Sequence, residues 1–186
     1  MRFYLGTHQV GWLATVSASL FVSRRRLVTR KRLPRALRPW ALDSGGFSEL
    51  ALASTWTLSA GEYVCEVRRY SSEIGRLEWA AIQDWMCEPG MLRRTGLSIA
   101  EHQVRTISSY EELLQLAPGL PWVPVLQGGR CAITCATWSS TISEAMICGR
   151  SHSSASVPYV ADRAHARRWR SCLILPARDC DCTASA

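Results

Sequence analysis

"WALDSGGFSEL", residues 40–50, joins a bulky apolar run to an acid, a hydroxyl and two glycines before an apolar residue returns. The apolar run is typical of a buried strand that ends at Leu42, with Asp43 at its carboxyl end. Two glycines directly after the acid allow a positive φ or the close approach of a ligand. In parallel α/β proteins ligands bind at the carboxyl ends of strands, so Asp43 is a candidate site residue.

Polar residues follow other apolar runs in the same way. "LEWAAI", residues 77–82, is a predicted strand that precedes Gln83 and Asp84. "PWVPVLQGG", residues 121–129, is another, and it ends in Gln127 and Gly128. Nearer the start of the chain, "RFYLGT" (2–7), which precedes His8 and Gln9, and "SLFVS" (19–23) also read as strands. The polar ends of these strands are therefore candidates for one shared site.

Helical segments separate the later strands. "SAGEYVCEVRRYSSEIG" begins with Ser59 and has Glu62 three positions on, which is the spacing of a capping box. Its residues Val64, Val67 and Ile74 are expected to face the core. "SIAEHQVRTISSYEELLQLAP", residues 98–118, repeats the capping spacing and predicts one or two further helical segments. Four tryptophans in or beside the apolar segments are expected to be core residues, namely Trp40, Trp79, Trp85 and Trp122.

Strand, helix, strand, helix, strand is the order of parallel α/β architecture. A complete (β/α)8 barrel takes about 250 residues, so the first 128 would supply about half of one. We therefore predict an α/β chain with an incomplete (β/α)8 TIM-type barrel, its N-terminal half, at residues 1–128, followed by an irregular tail at 129–186.

The chain of 186 residues is 47% apolar, enough for a core, and carries a net charge of +7. Much of the excess base lies in one cluster: Arg24, Arg25, Arg26, Arg30, Lys31, Arg32, Arg35 and Arg38. This cluster predicts phosphate contacts, with a solvated surface as the alternative. The chain contains no run of about eighteen apolar residues, so no membrane span is expected. Polar residues interrupt the apolar N-terminus too early for a signal peptide, so a cytoplasmic protein is expected.

The composition changes near Gly128. Six of the eight cysteines lie beyond this point, and neither helical nor strand periodicity is clear there. Three interpretations are open. The cysteines could form a zinc or disulfide module, although their spacings do not match paired ligands. The tail could be a serine-rich linker, although Trp138 and Trp169 oppose that. The favoured interpretation is translation out of frame, because back-translation with GC-rich codons and a shift of two nucleotides restores strand-like and glycine-turn patterns.

Three spaced motifs, "DSGGF", "QDWMCEP" and "VPVLQG", together resemble the tRNA-guanine transglycosylase superfamily. The opening "FYLGTHQ" and the form "DWMCEP" are most similar to its DNA-directed deazapurine transglycosylase (DpdA-like) branch. The resemblance covers residues 1–128 in order. It implies exchange of guanine in DNA or tRNA for a 7-deazaguanine-type base.

The resemblance also implies residue roles. Asp43 matches the acid that contacts the base and takes part in acid/base work, and Asp84 matches the acid that reads the guanine edge. Gln127 and Gly128 match the strand end that binds the base carbonyl. His8 and Gln9 are expected to line the same pocket. A carboxylate accepts from two adjacent N–H donors, while an amide and a backbone N–H donate to the carbonyl, so these residue types suit guanine.

The nucleic-acid-binding residues are predicted to be Arg24, Arg25, Arg26, Arg30, Lys31 and Arg32. No cofactor and no metal are expected; zinc occurs in tRNA-type relatives, but the frame interpretation makes the Cys180 and Cys182 pair coincidental. The resemblance further implies an aspartate nucleophile near the end of the barrel. No matching motif follows residue 128, so the chain is predicted to be truncated and inactive. The alternatives are a basic nucleic-acid-binding fragment and a non-functional pseudogene product.

Overall fold

The computed structural model describes residues 3–127. Five strands form one parallel sheet, and four α-helices follow the third and fourth strands. In chain order the elements are β1 Leu5–Thr7, β2 Leu20–Ser23, β3 Trp40–Asp43, α1 Gly46–Ala53, α2 Ala60–Ile74, β4 Leu77–Ala81, α3 Pro89–Thr95, α4 Ile99–Leu116 and β5 Trp122–Val123. The strands lie in the order β1-β2-β3-β4-β5, as in a (β/α)8 barrel. The predicted α/β fold class with an incomplete barrel is confirmed.

The first two connections differ from a regular β/α repeat. Short 3₁₀ turns, Val10–Ala14 and Arg24–Arg26, occupy the β1–β2 and β2–β3 connections, where the structure has no α-helix. The β2–β3 connection is mostly basic and lacks the regular apolar stripe of an amphipathic helix, although Leu27 and Ala36 within it are buried in the core. β5 is shorter than the predicted strand because Pro124 lacks the N–H that would continue the ladder.

The core is divided by the sheet into two sides. On one side Leu20, Trp40, Leu42 and Ile82 pack in one cluster with the apolar residues of α2 and with Leu113 of α4. Val64, Val67 and Ile74 of α2 are buried there, as predicted. On the other side Ala41, Trp79 and Ala81 form a second cluster, with Tyr4, Phe21 and Val123 against it. Alternation of this kind puts the second cluster on the side that faces the interior of a barrel.

All four tryptophans predicted as core residues are buried, with at most 7% of their surface exposed. Within residues 3–127, no helix is long and apolar enough to cross a bilayer.

Candidate functional site

The carboxyl ends of β3 and β4 and the residues after β5 meet at a buried acid. Asp84, 8% exposed, lies three residues after the end of β4 and accepts hydrogen bonds on both carboxylate oxygens. The Ser44 hydroxyl donates to its Oδ1 at 3.3 Å, and the Gln127 amide Nε2 donates to its Oδ2 at 2.6 Å. The structure therefore brings together Asp84 and Gln127, which the sequence analysis assigned to one site from separate strands.

Asp43 lies at the same edge, as the last residue of β3. Among residues 3–127 no hydrogen-bond donor reaches its carboxylate, which is partly exposed. Burial, and then the charge of Asp43, raise the pKa of Asp84 to about 7, although the hydrogen bonds from Ser44 and Gln127 oppose this shift. Near neutral pH Asp84 therefore populates both its protonated and its ionised form, beside a second carboxyl group.

The two glycines of the motif serve different purposes, one allowing a positive φ and the other allowing close approach of neighbouring groups. Gly45 has a φ of +80°, the left-handed conformation that glycine adopts without strain. Gly46 is needed for close approach, because a Cβ there would lie 2.9 Å from Trp56 Cζ2 and 3.1 Å from Asp84 Oδ1. Trp56 in turn donates its indole N–H to the backbone carbonyl of Asp84 at 3.1 Å. The start of α1 and the loop after it thus pack directly on Asp84.

The Gln127 amide has a defined orientation. Its Oε1 accepts from the Cys87 backbone N–H at 3.4 Å, while its Nε2 is turned toward Asp84. The backbone carbonyl of Gln127 accepts from Gln103 Nε2 at 2.8 Å, which fixes the segment beyond β5 against α4. An amide nitrogen carries two hydrogens, so one remains to donate to a ligand.

Cys87, although close to the site, is suited to packing rather than chemistry. Burial and the charges of Glu88 and Asp84 raise the pKa of its thiol to about 11. The thiol therefore stays protonated at neutral pH and is a poor nucleophile. Within the described part of the chain, no group of three or more His, Cys, Asp or Glu side chains is placed to hold a metal ion.

His8 and Gln9 follow β1, two strands away from β3, and both are exposed. In residues 3–127 neither side chain is hydrogen-bonded to Asp43 or Asp84, so their place in the pocket stays a prediction. Gly128 lies outside the described residues, as do all positions of the tail. Sequence reasoning missed Ser44 and Trp56 as site residues; Ser44 was visible inside the motif, whereas no sequence signal pointed to Trp56.

Arg24 differs from the other basic residues predicted to bind nucleic acid. Only 7% of its surface is exposed. Its Nε and Nη2 donate to Glu66 at 2.7 and 3.0 Å, and its Nη1 donates to Glu49 at 3.1 Å. The guanidinium is thus committed to two carboxylates inside the protein. This position does not support the predicted contact of Arg24 with nucleic acid.

The exposed members of the basic cluster fall into two places. Arg25 and Arg26 follow β2, and Arg25 Cγ lies 3.1 Å from where a Cβ of Gly45 would be. Farther along, the carbonyls of Arg30 and Lys31 accept from Arg69 Nη2 at 2.6 and 3.5 Å. Arg69 is in the C-terminal half of α2, which runs toward the amino end of β4. Arg30, Lys31 and the neighbouring Arg32 therefore lie away from the carboxyl edge that carries Asp43.

The fold and the site together define a class of protein, a β/α protein of barrel type that carries paired acids and an amide at the carboxyl edge of its parallel sheet. Comparison with protein families matches residues 1–173 to DpdA, DeoxyPurine in DNA protein A. The chain belongs to the DpdA family, which confirms the resemblance to the DNA-directed branch. No curated protein and no solved structure matches the chain.

Proposed function

We propose that Asp43, Asp84 and Gln127 bind a guanine-type base that has been extruded from DNA, as part of a deazapurine transglycosylase-like reaction. Membership of the DpdA family supports DNA as the partner. The observation that carries the proposal is the hydrogen-bonded pair of Asp84 and Gln127 at the carboxyl edge. Bases in a duplex are stacked, so exchange at the sugar requires the nucleotide to be flipped out.

The hydrogen-bonding capacity of the site matches the guanine edge. Each oxygen of the Asp84 carboxylate accepts one bond in the free protein and has a further lone pair, so the pair can accept from N1–H and the exocyclic amine. The second N–H of the Gln127 amide can donate to O6. Asp43, which has no donor of its own among residues 3–127, is assigned the acid/base work at the exchanged bond.

Binding of the free base tests this proposal. Equilibrium dialysis with labelled guanine or 7-deazaguanine should show saturable binding to the wild-type chain at pH 8, where Asp84 is ionised. Asp84→Ala should weaken binding at least tenfold, because a charge-assisted pair of hydrogen bonds is lost. Glu111→Gln, an exposed acid on α4, is the matched control and should bind as the wild type does. Equal affinity of wild type and Asp84→Ala would refute the assignment.

A basic nucleic-acid-binding surface is the second candidate, and the exposure of Arg25, which lies beside Gly45 of the motif, and of the adjacent Arg26 favours it. We propose that these two side chains contact the phosphates that flank the extruded nucleotide. Replacing both by Ala should weaken DNA binding and reduce the slope of log affinity against log salt by roughly two. The same double change at Arg30 and Arg32 is the control. A larger loss of DNA affinity on replacing Arg30 and Arg32 would indicate that the phosphate contacts lie on the α2 side instead.

We also propose that the 186-residue chain binds the base without turning it over, because no motif for the nucleophile follows residue 128. A pseudogene product is the remaining alternative. Circular dichroism distinguishes it: a folded chain should give the helical signal of α2 and α4, whereas an unfolded spectrum would support the pseudogene.

A further inference from the structure

The buried Arg24 joins three elements of the fold. It directly follows β2, contacts Glu49 on α1 and forms a two-point pair with Glu66 on α2. Tyr70 adds a hydrogen bond from its hydroxyl to Glu66 at 3.0 Å. A buried charge is stable only when it is paired and hydrogen-bonded in this way, so the relative positions of the three elements are constrained by one side chain.

Glu49 extends the connection to the loop after α1. Its Oε2 accepts from the Thr57 hydroxyl at 2.6 Å and from the Thr57 backbone N–H at 3.4 Å. Burial alone would raise the pKa of Glu49, but the bonds from Thr57 and the charge of Arg24 lower it below its ordinary value. Glu49 is therefore ionised at neutral pH and holds Arg24 and Thr57 at the same time.

The segment fixed by these contacts is the one that packs on Asp84. Gly46 begins α1 and lies against Asp84 Oδ1, and Trp56, next to Thr57, donates to the Asp84 carbonyl. Glu49 lies one turn after Gly46 on the same helix, so a displacement of α1 would move Gly46 and open the contact with Asp84.

We propose that Arg24, Glu49 and Thr57 form a positioning network that holds α1 and Trp56 against Asp84 in the proposed base-binding site. None of the three contacts the base; they act by fixing the segment that excludes water from one side of the Asp84 carboxylate. The importance of the network for base exchange rests on the proposed function, whereas its effect on Asp84 does not.

The test is the titration of Asp84 in the full chain, followed by carboxyl ¹³C chemical shifts. Thr57 is exposed, and Thr57→Val removes its hydroxyl while keeping the shape of its side chain. Arg24→Lys keeps the charge but cannot form the forked pair. In both variants we expect the titration midpoint of Asp84 to fall by about one pH unit, because water reaches the carboxylate. Guanine binding should weaken about tenfold. Ser98→Ala, which removes a helix cap on α4, is the control for lost stability.

An unchanged Asp84 midpoint in folded Thr57→Val would overturn the network, as would an equal fall in Ser98→Ala, which would indicate general loosening. Should Arg24→Lys fail to fold, Thr57→Val alone decides. If the wild-type chain binds no guanine while the midpoint still falls in Thr57→Val, the base-binding proposal fails and the network stands.

Discussion

The surroundings of Asp84 oppose the ionisation of its carboxyl group, so the stability of the folded chain depends on pH through this residue. Its pKa in the folded chain is about 7, well above the ordinary value of an unfolded aspartate. Between these two values the folded state binds the proton more tightly than the unfolded state does. Stability therefore falls as the pH rises from about 4 to 7, and above pH 7 the folded chain carries a buried charge.

Asp84→Asn should remove this dependence on pH. At pH 5 the folded acid is neutral but the unfolded acid is already largely ionised, so the variant should be more stable than the wild type by only about 1 to 2 kcal/mol. At pH 8 the variant should be more stable than the wild type by roughly 2 to 4 kcal/mol, since no charge is buried. Urea unfolding at the two pH values measures the difference. If the stability gain of the variant over the wild type were smaller at pH 8 than at pH 5, the assigned environment of Asp84 would be wrong.

Gly46 should not tolerate a side chain. In Gly46→Ala the new Cβ would meet Trp56, Asp84 and Met86 at 2.9 to 3.1 Å, so α1 must move. We expect a loss of about 1 to 3 kcal/mol and weaker guanine binding. Gly61→Ala on α2 is the matched control, because nothing lies within 4 Å of its Cβ position. That control should be neutral or more stable by up to about 1 kcal/mol, as measured by urea unfolding.

At the residue scale, the sequence indicated the acids but not what surrounds them. Asp43, Asp84 and Gln127 were found because each follows an apolar run, and parallel strands bring their carboxyl ends together. Arg24 was predicted to bind nucleic acid because it stands in a basic run. Its burial depends on Glu49 and Glu66, which lie 25 and 42 positions away and carry no local signal of the pairing.

At the scale of elements, the helices with complete caps were the predictable ones. α2 and α4 both have the reciprocal bonds of a capping box, between Ser59 and Glu62 and between Ser98 and Glu101. α1 and α3 were not predicted. α1 begins at a glycine without a side-chain cap, and α3 has only seven residues, although Pro89 at its first turn and Gly96 after its end are typical helix boundaries.

The two capping boxes should contribute similar stability. Ser59→Ala and Ser98→Ala each leave a backbone N–H at the start of the helix without its side-chain acceptor, and each should cost about 1 kcal/mol. Ser108→Ala, on the exposed surface of α4, is the control and should cost nothing, since alanine favours a helix interior. Thermal unfolding of the three variants measures this. A loss in Ser108→Ala equal to that in Ser98→Ala would show that capping is not the cause.

At the scale of the whole molecule, the five-stranded sheet of residues 3–127 has two open edges. Among residues 3–127, β1 and β5 each pair on one side only, which leaves strand edges that a barrel closes by further pairing. The order of the strands could be predicted because consecutive parallel strands in a barrel are neighbours. The continuation after Gln127 could not, because the apolar periodicity ends there; the family match nevertheless extends to residue 173.

The reading-frame interpretation of the tail can be tested by restoring the frame. If residues beyond Gly128 are translated out of frame, a change of one or two bases in the codons for 127–131 should restore the strand patterns that the shifted frame encodes. Barrel closure requires those strands, and the attack on the sugar requires the aspartate they are expected to carry. The restored chain should therefore incorporate labelled base into DNA, with the 186-residue chain and an Asp84→Ala variant of the restored chain as controls. Incorporation by the 186-residue chain itself would show that no restoration is needed, and the inactivity proposed for it would have to be abandoned.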